Sequence, residues 1–176
     1  TSAKSITRYS SIINQVYLPK SLFPLSFTLT QLFNFAFGLV VVAAFLAIYG
    51  VMPGWQVVYL PLIVLVQTVF LLGVGMILGY MTVFVRDIDN LLSYVIRIFF
   101  YASPIIWEGG RLPPEYSWAV DFNPIAIIVE SYRAVLMHQN TPAFTGLLVI
   151  FVLSVAAIIF MVRYYSNNEH KIIKAL

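Results

Sequence analysis

The 176 residues contain no cysteine, so neither a disulfide framework nor a thiolate metal site is available. Charge is also scarce. Charged residues make up 10% of the chain, against about 25% in an ordinary soluble domain. The two histidines, His138 and His170, lie far apart, and neither has a second ligand at metal spacing. There is no Gly-x-x-x-x-Gly-Lys-[Ser/Thr] loop, so the chain cannot cradle ATP phosphates in the usual way. No Ser/His/acid arrangement stands out, and there is neither an internal repeat nor a low-complexity segment. Arg86, Asp87 and Asp89 cluster, but a solvated, self-paired turn accounts for them better than catalysis does.

What fills the chain instead is apolar. Hydrophobic residues make up 61% and the mean hydropathy is +0.91. A soluble fold of this size cannot hide that much apolar surface, so lipid must cover part of it. Four stretches are long and almost free of charge: Ser26 to Tyr49, Val57 to Met81, Leu91 to Trp107, and Ala143 to Val162, the last carried on to Tyr165 as a span. A crossing needs roughly 20 apolar residues. The third stretch is short and contains Arg97. Ile125 to Leu136 is interrupted by Glu130 and Arg133, which suits a re-entrant or interfacial helix better than a crossing. The expected fold is therefore an all-α membrane protein. Its segments are 1–22 on the cytoplasmic side, spans at 26–49, 57–81, 91–107 and 143–165, an outer loop over 108–142, and a tail over 166–176.

The connections carry turn chemistry. Gly50-Val51-Met52-Pro53-Gly54 breaks the chain between the first two spans. Asn123-Pro124 reads as an N-cap followed by proline at the first helical position, and Glu130 and Arg133 stand three apart, able to pair on one face. If Thr1 to Leu22 is cytoplasmic, the inner segments hold Lys4, Arg8, Lys20, Arg86, Arg163, Lys171 and Lys174. The outer segments hold only Arg111 and Arg133. That asymmetry follows the positive-inside rule. Trp55, Trp107 and Trp118 then fall on the outer side, and Tyr80, Tyr94, Tyr164 and Tyr165 near the inner one, as aromatic belts do. The basic pI of 9.2 is thus a sign of topology, with no nucleic-acid partner implied.

Within the spans, Gln31, Asn34 and Gly38 share a face with Thr30 nearby. Interhelical hydrogen bonding explains them more simply than a substrate path. Gly75 and Gly79, with Gly73 close by, form a small-x-x-x-small pattern for tight helix packing. Arg97 is costly within a span and either faces a partner or water, or snorkels to phosphates. Upstream, Ile6, Tyr9, Ile13, Val16 and Tyr17 recur at three- and four-residue spacing. They predict an amphipathic helix ending near Pro19, lying in the headgroups or docking a cytoplasmic partner.

Four short motifs, in order and each on its expected side, resemble those of type-2 ABC exporter permeases, most closely those that export polysaccharides and teichoic acids. They are Val16-Tyr17-Leu18-Pro19-Lys20 with Leu22-Phe23-Pro24-Leu25, then Phe84-Val85-Arg86-Asp87-Ile88, then Ser103-Pro104-Ile105-Ile106-Trp107, and Asn123-Pro124 with Glu130-Ser131-Tyr132-Arg133. The resemblance implies a homodimer with two separate ATPase subunits that hold ATP and Mg. It implies a coupling helix involving Tyr9, Ile13, Tyr17, Leu18, Pro19 and Lys20, and an inner turn at Arg86 and Asp87. It further implies a lateral path or gate along Tyr94, Arg97, Phe100, Tyr101 and Ser103, and an outer helix marked by Asn123, Pro124, Glu130 and Arg133. Family members usually have six spans, so two further spans are expected upstream. The implied activity is export of an undecaprenyl-linked polymer across the bacterial cytoplasmic membrane, among membrane lipids and with both ends of this segment cytoplasmic. Teichoic acid is the leading cargo because Arg111-Leu112-Pro113 leading to Asn123-Pro124 looks closest to that branch, with O-antigen or capsule nearly level. A drug or small-lipid efflux permease is the neighbouring alternative. The chain itself needs no cofactor and no catalytic residue under this reading.

Overall fold

A computed structural model describes residues 22–50, 54–84, 88–102 and 122–167, and every regular element among them is helical. In chain order these are α1 (Leu22–Ile48), a 3-10 turn (Trp55–Tyr59), α2 (Leu60–Phe84), α3 (Ile88–Ala102), α4 (Pro124–Leu136) and α5 (Phe144–Asn167). Three stretches are long and apolar enough to cross a membrane: Leu25–Ile48, Trp55–Thr82 and Phe144–Tyr165. They correspond to the first, second and fourth spans expected from the sequence. The third expected span is helical through Ala102 in α3, whose 15 residues extend about 22 Å; its positions 103–107 lie outside the described residues.

The helix limits follow from local chemistry. α1 begins at Leu22, four residues before the expected start. Pro24 does not prevent this, because the first-turn N–H groups have no helical acceptor to lose. At its far end, Tyr49 N–H donates to Phe45 O at 3.0 Å and Gly50 N–H to Ala47 O at 3.2 Å. Gly50 stands at φ +71°, the left-handed setting that closes a helix and suits a residue without Cβ. The 3-10 turn runs directly into α2 through Leu60 in the right-handed helical region, so the two form one continuous apolar rod.

By contacts the chain divides into two compact units. The described parts of 1–36, 68–93 and 152–176 form one, and those of 37–67 and 94–151 form the other. In the first unit, α2 and α5 pack closely. Gly73 is buried, and a Cβ there would come within 3.2 Å of Ser154 O and 3.6 Å of Ile158 Cγ1. The glycine thus lets one backbone approach the other. Tyr165, 4% exposed, donates its hydroxyl to Met76 O at 2.9 Å. Tyr80 sets its ring edge-on to Tyr164 and Tyr165, with centroids 5.0 and 5.5 Å away. Tyr165 therefore lies inside the helix packing, with its hydroxyl satisfied by a carbonyl of the neighbouring helix. Thr82, also buried, turns its hydroxyl back to Leu78 O and Gly79 O, so its polarity is satisfied within its own helix.

The second unit is built around α4. Ala126, Ile128, Ser131 and Val135 are its buried face, at spacings of two to four that keep one side of a helix inward. Gly146 of α5 accepts the side chain of Ile127, whose Cγ2 lies 2.8 Å from where a Cβ would stand. Tyr59 meets Phe144 edge-on at 5.2 Å and Trp55 at 5.7 Å.

Much apolar surface stays uncovered. On α1 only Thr28 is buried between residues 25 and 48, while Phe33, Phe37, Val40, Phe45 and Ile48 are exposed. On α5, Leu148, Val152, Leu153, Ile159 and Phe160 are exposed as well. Helices apolar on all sides with their outer faces bare are membrane helices. The chain is an all-α membrane protein.

Candidate functional site

Two groups of sequence-predicted residues fall within the described structure, one on α3 and one on α4. Tyr94, Arg97 and Tyr101 sit on α3 at spacings of three and four, which stacks them along one side of the helix. All three are exposed. Around them Leu91, Val95, Ile96 and Ile98 are exposed and apolar. α3 therefore carries a charged, aromatic stripe on a helix that is mostly apolar after Asp89, Asn90 and Ser93, and Arg97 meets no carboxylate among the described residues. Phe100 lies in the same helix, its side chain outside the described residues.

α4 is built as its sequence predicts. Asn123 adopts an extended backbone, and its Oδ1 accepts from Ile125 N–H at 3.0 Å and Ala126 N–H at 3.4 Å, satisfying two of the free N-terminal donors. Pro124 takes the first helical position, where its ring presets φ and its missing N–H costs nothing. Arg133 Nη1 donates to Glu130 Oε1 at 3.0 Å. The pair is partly exposed, so it contributes under about 1 kcal/mol and serves chiefly to keep both charges off the apolar face. Ser131 donates back to Ile127 O at 2.7 Å. Beside it, burial pushes the Tyr132 phenol above its ordinary value of 10.0, since the ionised form loses solvation there.

α4 ends in a built turn. Met137 and His138 N–H both donate to Arg133 O, and Asn140 N–H reaches Ala134 O at 2.8 Å. Gln139 takes φ +51°, which turns the chain toward α5. The carbonyl of Gln139 accepts from Gln56 Nε2 of the 3-10 turn. Sequence reasoning missed this tie, because 83 residues separate the partners and neither carries a local signal. It also missed Gly146, whose role appears only once Ile127 is placed against it. On α1, Asn34 Nδ2 donates to Gln31 Oε1 at 3.4 Å, and a Cβ on Gly38 would meet nothing within 4 Å. The expected polar face is therefore uncovered, with two of its groups bonded to each other.

The proposed coupling residues Tyr9, Ile13, Tyr17, Leu18, Pro19 and Lys20 lie outside the described residues, as do Arg86, Asp87 and Ser103. Among the described residues no group of three His, Cys, Asp or Glu side chains is placed to hold a metal ion.

Comparison with known proteins bears on most of this chain. Residues 10–137 match the family described as ABC-2 type transporter. The O-antigen export system permease protein RfbA of Klebsiella pneumoniae is 32% identical over 130 residues, covering 73% of this chain and 50% of that protein. The protein of the same description from Myxococcus xanthus is 28% identical over 142 residues, covering 80% of this chain and 55% of its own length. The chain thus spans about half the length of the curated relatives it matches. Apolar helices long enough to cross a membrane, a capped short helix between the last two, and a family match through residues 10–137 agree with one another: the chain belongs to the ABC-2 type transporter family.

Proposed function

We propose that this chain is a transmembrane part of an ATP-driven exporter that moves a lipid-linked cell-surface polymer across the bacterial cytoplasmic membrane. The observation that carries the reading is its likeness to two O-antigen export permeases over more than 70% of its length. Those relatives favour an O-antigen-type polysaccharide over wall teichoic acid as the cargo to test first. Residues 1–22 serve as the coupling segment on a separate ATPase subunit that binds ATP and Mg, with a second copy of the permease completing the path. The lack of a P-loop in this sequence fits a division of labour in which nucleotide energy arrives mechanically through a docked helix. Both ends of the segment face the cytoplasm, as the distribution of Lys and Arg favours. The α3 stripe then lines one wall of a lateral route, where aromatic faces let sugar rings slide without tight binding.

The test is ATP-dependent translocation by the full permease, reconstituted with its ATPase in proteoliposomes. Undecaprenyl-linked O-antigen, undecaprenyl-linked teichoic acid, and a fluorescent drug or short-chain lipid serve as separate cargoes. Movement of a polymer that stops without ATP supports the reading. Movement of the drug or short lipid alone overturns it in favour of small-molecule efflux.

A further inference from the structure

Resting on the export reading, we infer that Arg97, flanked by Tyr94 and Tyr101, is a recognition site for the phosphate ester that joins a polyprenyl lipid to its saccharide. The three side chains occupy one side of α3 and all are exposed. Arg97 has no carboxylate partner among the described residues. Val95, Ile96 and Ile98 beside it are exposed and apolar, and Ser93 one turn before it is exposed and small. A guanidinium held on an apolar helix is stable only where water, headgroups or an anionic ligand compensates it. Its planar fork of five donors matches two phosphate oxygens at once, which a point charge does not. Tyr94 and Tyr101 stand about one turn before and one turn after on the same side of the helix, and aromatic faces there suit the first sugar units. Position and chemistry together therefore read a negative link with sugar on one side and hydrocarbon on the other. A lipid anchor alone would need the charge but not the two flanking rings.

The experiment uses the full permease with its ATPase in nanodiscs containing phosphatidylglycerol. Binding is measured for a polyprenyl-diphosphate-linked saccharide and for a neutral polyprenyl glycoside of the same sugar. Arg97→Gln is expected to weaken the diphosphate probe by about tenfold or more, the loss of one charge-assisted bidentate contact, and to leave the neutral glycoside unchanged. Arg97→Lys keeps the charge without the fork and is expected to fall between; if Arg97→Gln does not assemble, this variant carries the test. Equal binding of the diphosphate probe by wild type and variant overturns the inference while polymer export stands. So does a parallel loss of both probes, or a matching loss of retained phosphatidylglycerol, which would make Arg97 a headgroup anchor. A wild-type complex that binds neither saccharide probe and moves no polymer overturns the export reading, and this inference with it.

Discussion

A methyl group on Gly146 would stand 2.8 Å from Ile127 Cγ2. That carbon branches directly from the backbone-proximal Cβ, so it yields only by rotating a stiff χ1. Gly146→Ala should therefore cost about 1–3 kcal/mol, the usual range for overpacking. Adding Ile127→Ala should return part of that loss, as a coupling visible in thermal melts of the four combinations in detergent. Tyr132 supports a second prediction. Its folded-state pKa is raised by burial above 10.0, so folded and unfolded chains both keep the phenol proton below that pH. Above it, the unfolded chain loses the proton first and gains stability relative to the fold. Stability should fall as pH rises past 10.0, and Tyr132→Phe should flatten that fall in a pH series of melts. Such single-residue facts were only partly legible in the sequence. The cap at Asn123 and the Glu130–Arg133 pair were readable because both act within one turn of helix. The burial of Tyr165 was not, because which side of an all-apolar helix turns inward depends on its neighbours, and its sequence shows no amphipathic bias to say so.

A side chain ties the 3-10 turn to the connection from α4 to α5. Gln56 Nε2 donates to the carbonyl of Gln139, and Gln56 Oε1 is buried with no hydrogen-bond partner among the described residues. Gln56→Ala removes a bond worth about 1 kcal/mol and at the same time a desolvated oxygen of comparable cost. Global stability should thus change little, while the amides of 137–143 exchange faster with solvent because their anchor is gone. Hydrogen–deuterium exchange resolved by peptide checks this; unchanged exchange in that loop would show that Gln139 is held by its own turn. The existence of the elements was legible from the length of the apolar runs and from Gly50 and Asn123-Pro124, which mark their ends. Their starts were less so. α1 begins before Ser26 because Pro24, which reads as a break in the sequence, falls in the first turn, where a missing N–H costs no helical bond.

For the protein taken entire, the exposed apolar faces of α1 and α5 are incompatible with water as the surrounding medium. Purified without detergent or lipid, the chain should aggregate; recovery of a monodisperse species from aqueous buffer alone, by light scattering, would contradict the membrane assignment. That assignment was legible from composition, since no soluble core accommodates such an excess of apolar residues. The α3 stripe as a group entered through the family resemblance alone, and its exposure was not legible, because one sequence does not say what its neighbours leave open. α1 adds a last consequence. A helix with a single inward-facing threonine in its apolar length has little to fix its angle about its own axis. Its azimuth is set by what surrounds it, so its orientation should respond readily to a change of company.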